Sequence, residues 1–230
     1  MNFREELELL IDARVPVIKV LTHDEERLID ALSAVCARPG AGARLGLYAW
    51  DMADQWVALT PGQPAFDTSK EASPHTILRV IEQSPAPGLF LLRDFHQSWE
   101  ANKTVLRKLR NLVQKLPRSP VPRTLVIATP PDLLPAELRH PPGLKQDIVC
   151  LEQGRPDASE LAGIMQRVLG GLQPDHHLLQ ALAETALGLS GLQAARSAAR
   201  VFVSARRHQP SAVGDWALDD IRREKHRIIR

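Results

Sequence analysis

Aromatic residues are scarce. Phe, Trp and Tyr make up 4% of the 230 residues, and there is a single tyrosine. So small a set argues against a surface built to stack nucleic-acid bases. There are two cysteines, Cys36 and Cys150, far apart and each in an apolar run. They form no disulfide framework and read as small core residues of a chain in a reducing compartment. No apolar run reaches the roughly 18 residues a membrane span needs, so none is expected. Met1 to Glu6 hold no apolar signal core, and the default address is the cytoplasm. An excess of one charge is missing too. Lys and Arg number 29 against 27 Asp and Glu, a net +2. No global field therefore singles out nucleic acid. What is present, 44% apolar and 24% charged residues, is the balance of a globular chain.

Strand and helix patterns alternate through the first two thirds. Phe3, Leu7, Leu10 and Ile11 predict a helix over 3–13, ended by Arg14 and Val15-Pro16. Val17–Leu21 reads as a strand. Thr22 with Glu25 three residues on has the pattern of a capping box. The helix after it carries Leu28, Ile29, Leu32, Val35 and Cys36. A second strand is expected at 45–50, then a long loop over 51–73 and a short helix over 75–83. Leu89 to Leu92, punctuated by Pro85, Pro87 and Gly88, suits a central strand buried on both faces. A basic amphipathic helix is predicted from Trp99 to Leu116, with strands at 124–128 and 147–151. Residues 132–146 are proline-rich, with at most a turn of helix at 135–139. From Gly154-Arg-Pro156 the pattern becomes wholly helical. Helices open at Asp157, Asp175 and Ser190, and a last one runs over about 218–229. The third carries Leu192, Ala195, Ala199, Phe202 and Val203 as its inward set. The expected fold is α/β: a five-strand parallel sheet flanked by helices over 1–153, then a small helical lid over 154–230.

Asp94 ends the strand at 89–93, where α/β folds place ligands. In P-loop ATPases an aspartate there holds magnesium, so the phosphate cradle should follow the first strand. That place reads Leu21-Thr-His-Asp-Glu-Glu-Arg27, with no glycine and no lysine. Asp24, Glu25 and Glu26 stand where a triphosphate would lie. A helix N-terminus attracts anions by about 0.3–1 kcal/mol. Each nearby carboxylate repels by roughly 4 kcal/mol at 4 Å with an effective dielectric near 20. This turn is therefore not expected to bind nucleotide in the usual way. Asp94 is then a cap or a partner of Arg93 or His96, or the edge Arg93, Asp94, Phe95, His96 meets a protein partner.

Taken in order, several short motifs resemble one family. They are Leu10-Ile-Asp-Ala-Arg-Val-Pro-Val-Ile18, Thr22 to Arg27, Tyr48-Ala-Trp50, Leu91 to His96, Leu106 to Leu112, Pro135 to Leu138, and Ile221 to Ile229 with Glu224-Lys225. The chain resembles the N-terminal, P-loop-less domain of AAA ATPases first named as a hypothetical chloroplast reading frame. The resemblance covers nearly the whole chain. It implies an AAA-like fold, with ATP and magnesium bound by a catalytic domain that follows. That domain is not in this chain, so no catalytic, cofactor or metal residue is assigned here.

Two basic clusters remain. Lys103 to Lys115, with Arg107, Lys108 and Arg110 at its centre, is a candidate partner surface; Arg196, Arg200, Arg206, Arg207 and His208 form a second. His176 and His177 are adjacent and point in different directions on a helix, so they are no zinc pair. No nucleophile elbow occurs. The main expectation is a non-catalytic AAA-like module that assembles with or regulates a protein partner or an AAA ATPase domain. The alternative is a nucleic-acid-associated subunit resembling the P-loop-less members of clamp-loader complexes. A third option, an unconventional active ATPase, would depend on Asp94.

Overall fold

The computed structural model describes residues 2–38, 45–63, 66, 73–99, 102–131, 144, 147–208, 214 and 216–228. The helical turn expected at 135–139 lies outside them. Contacts divide the chain into two compact units, Met1–Gln153 and Gly154–Arg230.

The first unit opens with α1, Phe3–Asp12. Asn2 and Glu5 close a reciprocal capping box, the Glu5 amide donating to Asn2 Oδ1 at 2.8 Å and the Asn2 amide to Glu5 Oε2 at 3.0 Å. There follow β1 (Val17–Leu21), α2 (Glu25–Cys36), β2 (Gly46–Asp51), β3 (Gln55–Ala58), α3 (Pro74–Gln83), β4 (Gly88–Arg93), α4 (Lys103–Lys115), β5 (Arg123–Thr129) and β6 (Val149–Glu152). The sheet has six strands in the order β3-β2-β4-β5-β1-β6. β2, β4, β5, β1 and β6 are parallel, and β3 adds an antiparallel edge.

The five-strand expectation is therefore corrected to a mixed sheet of six. The extra strand lies inside the stretch assigned to a loop. Asp51 turns the chain by accepting from the amides of Ala53 and Asp54 at 2.9 and 2.7 Å. Gln55 then takes a left-handed backbone, φ 58°. Its side chain accepts from Trp50 Nε1 at 3.3 Å, which brings Trp56 opposite Trp50.

Both sheet faces are covered, as continuous apolar strands require. One face packs Leu7 and Ile11 of α1 and Leu28, Leu32 and Val35 of α2 against Ile18, Val20, Leu91 and Val126. The other packs Ile77, Leu78 and Ile81 of α3 and Val105, Leu109 and Leu112 of α4 against Trp50, Phe90, Leu92 and Ile127. Lys19 is fully buried on that second face, its ammonium 5.5 Å from the centre of the Trp99 ring. The helix expected to begin at Trp99 begins later. A 3-10 turn occupies Phe95–Ser98, and Asn102 caps α4 by accepting from the amides of Thr104 and Val105 at 3.1 and 3.2 Å.

The second unit holds α5 (Ala158–Leu169), α6 (His176–Thr185), α7 (Gly191–His208) and α8 (Trp216–Ile228). Asp157, Asp175 and Ser190 accept from the amides of Glu160, Leu178 and Gln193 at 2.8, 2.7 and 3.2 Å, so each helix begins at its cap. Leu161, Met165, Leu169, Leu182, Val201 and Ile221 lie in its core. The inward face of α7 differs from the expected one. Ala194, Ala198, Val201 and Ala205 are buried, while Leu192 and Val203 are 51% and 47% exposed. Small residues let α7 approach its neighbours closely, and this turns the larger ones outward.

Candidate functional site

The carboxyl ends of β1, β2, β4, β5 and β6 converge where a parallel sheet offers its ligand crevice. The turn after β1 is closed from within. The Thr22 amide donates to the Thr129 carbonyl at 3.0 Å, and the Gln153 amide donates to the Leu21 carbonyl at 2.9 Å. Thr22 Oγ1 donates to Gln153 Oε1 at 2.6 Å and accepts from the Asp24 amide at 2.8 Å. The amides of Thr22 and Asp24, which a phosphate cradle would turn outward, are thus spent on the protein itself. The predicted Thr22–Glu25 capping box does not form. Asp24 is the N-cap residue and makes no side-chain cap bond to the helix. Thr22 is held by Gln153 instead.

Beside this turn lies a cleft of about 350 Å³ lined by Glu25, Asp51, Met52, Asp54, Arg93, Asp94 and Gln97. Arg93 stands at its centre, 3.8 Å from Glu25 and 3.6 Å from Asp51. Burial holds the Glu25 carboxyl above its ordinary value; Arg93 pulls it down, and Asp94 and Asp51 push it up. The cleft carries four carboxylates and one guanidinium, so its field opposes a polyphosphate. Among the described residues no group of three or more His, Cys, Asp or Glu is arranged to hold a metal ion.

The sequence-predicted contacts fall in different places. Arg93 is half-buried and paired across the cleft. Asp94 is exposed, in a left-handed conformation at φ 52°, and caps nothing with its side chain. Its carboxylate lies 4.0 Å from His96 Nδ1. Phe95 and His96 are turned inward, 0% and 4% exposed, with Phe95 edge-on to Trp50 and Trp99. Apolar burial drives this, so only Arg93 and Asp94 of that edge reach the surface. On α4, Arg107 is exposed, whereas Lys108 and Lys115 both pair with Glu82 of α3. Arg110 is half-buried. Gln153 and Asp51 were missed, though each follows an apolar run, the position already used to single out Asp94.

β1, β4 and β5 inside a parallel five-strand array, with an acid-lined turn after β1, are consistent with an AAA-like α/β fold. A family model described as "SpoVK-like AAA ATPase, N-terminal domain" matches residues 3–152. The chain belongs to that family. It is similar to the uncharacterized AAA domain-containing protein ycf46 of Trieres chinensis, 27% identical across 83% of this chain and 36% of that one. The protein of the same name from Guillardia theta is 26% identical over all of this chain and 42% of its own length. That from Pyropia yezoensis is 32% identical over 50% of this chain and 22% of its own. The chain spans well under half the length of these curated relatives.

Proposed function

We propose that this chain is a non-catalytic AAA-like module that acts in protein–protein assembly or in regulating an ATPase partner. One observation carries the reading: the amides of Thr22 and Asp24 are already bonded to Thr129 and Thr22. A phosphate would have to break those bonds and enter a cleft bearing Glu25, Asp51, Asp54 and Asp94. On this reading no cofactor belongs to this chain, and ATP and magnesium belong to an AAA domain encoded elsewhere in longer relatives. The nucleic-acid alternative draws less support. Lys108 and Lys115 are answered by Glu82, and Arg200 by Asp220 and Glu224, so fewer cations remain for phosphates.

Calorimetric titration with magnesium-ATP tests the proposal. No saturable binding is expected up to about 1 mM, a free energy of about −4 kcal/mol. Micromolar, magnesium-dependent binding overturns it.

A further inference from the structure

The α7 helix has no acidic residue and four arginines, Arg196, Arg200, Arg206 and Arg207. Arg200 is answered by Asp220 at 3.3 Å and by Glu224 at 2.5 Å, both on α8. Arg206 stacks on the Phe202 ring, 4.9 Å from its centre. Arg196 and Arg207 are exposed, and neither forms an ion pair among the described residues. Both lie on one side of an apolar line. Leu192 and Val203 are about half exposed, and Ala195 and Ala199 lie between them. The spacings along this line, 3, 4 and 4 residues, keep one face of a helix. The line extends for about 16 Å.

We infer that this outer face of α7 docks an acidic amphipathic helix of a protein partner. Two large side chains at the ends and two alanines between them make a saddle into which a second helix can settle its own apolar ridge. Arg196 and Arg207 then meet glutamates along one flank of that ridge. A second copy of this chain docked through the same face would set arginine against arginine, which is repulsive. A lipid surface would gain little, because only Leu192 and Val203 could be buried in it and neither is aromatic. Duplex nucleic acid would meet the arginines and leave the apolar line without a partner. The inference deepens the assembly reading by naming a surface and the chemistry of its partner. It makes no use of the nucleotide crevice, so the ATP titration and the test below fail independently.

The probe is a labelled helical peptide of about 20 residues with leucine at heptad positions a and d and glutamate at e and g. A matched peptide carries lysine for glutamate. Fluorescence anisotropy with the full chain should show saturable binding of the acidic peptide and none of the basic one. The double variant Arg196→Glu/Arg207→Glu should bind the acidic peptide at least about tenfold more weakly and gain binding of the basic one. The variant Leu192→Ser/Val203→Ser should lose binding of the acidic peptide. All four positions are exposed, and circular dichroism checks that the variants fold. The peptide comparison on the unsubstituted chain needs no variant at all. The inference is overturned if the acidic peptide does not bind, if both peptides bind equally, or if charge reversal changes nothing. It is equally overturned if duplex DNA or phosphatidylserine vesicles bind more tightly than the acidic peptide.

Discussion

Replacing Arg93 with methionine tests whether the cleft is held together by internal ion pairing. Methionine keeps much of the buried stem and removes the charge. Arg93 faces Glu25 at 3.8 Å and Asp51 at 3.6 Å. A pair at such a distance is worth about 4 kcal/mol at an effective dielectric of about 20. The Glu25 side chain is 36% exposed and that of Arg93 25%, so solvent removes most of this. About 0.5–1 kcal/mol survives per pair, or about 1–2 kcal/mol for Arg93→Met at pH 7. The pH dependence is distinctive. Burial raises the Glu25 carboxyl above 4.5, so the folded chain binds that proton more readily than the unfolded chain does. Such a group adds stability on the acid side and withdraws it as pH rises through its folded value. Arg93 lowers that value, so without it Glu25 rises further and the variant loses more on reaching neutrality. The deficit should be largest at pH 7 and less than half as large near pH 4. Urea unfolding followed by tryptophan fluorescence measures both values. Equal loss at the two pH values, or none at pH 7, refutes the reasoning.

Asp94→Gly should stabilise the first unit by about 0.5–1 kcal/mol. The residue sits at φ 52°, where a Cβ is unfavourable, and the change also removes a carboxylate facing Glu25. A lower urea midpoint would show that its side chain holds something in place. Glu82→Gln should cost about 1 kcal/mol at pH 7 by releasing Lys108 and Lys115. The bonds to those lysines hold the Glu82 carboxyl below its ordinary value. Its contribution is therefore present above pH 4.5 and lost as pH falls through the folded value, so the gap between variant and parent should narrow as pH is lowered below 4.5 in the same assay.

Much of the first unit is legible in sequence because its strands are buried on both faces and its helices carry regular apolar spacing. Leu89 to Leu92 and Thr124 to Ala128 announce themselves as runs between turn residues. β3 does not, since Gln55–Ala58 is short and its turn is made by Asp51 rather than by glycine. The expected inward set of α7, Leu192, Ala195, Ala199, Phe202 and Val203, is turned away from the buried one, Ala194, Ala198, Val201 and Ala205. Phe202 does pack against the core, but Leu192 and Val203 face outward, and nothing local distinguishes the buried alanines from Ala195 and Ala199. At the crevice, the missing glycines were visible in Leu21 to Arg27. The hydrogen bond from Thr22 to Gln153 joins residues 131 positions apart, and no local pattern encodes it.

The hairpin that adds β3 bears on how safely the sheet can be handled in solution. Among the described residues the outermost strands, β3 and β6, are four residues each, whereas β5 in the interior runs for seven. A foreign chain seeking to extend the sheet finds only a stub on either flank, too brief to zip along. The sticky valine- and leucine-rich segments are sequestered between neighbours. Concentrated samples should therefore resist fibril growth until the hairpin itself peels away.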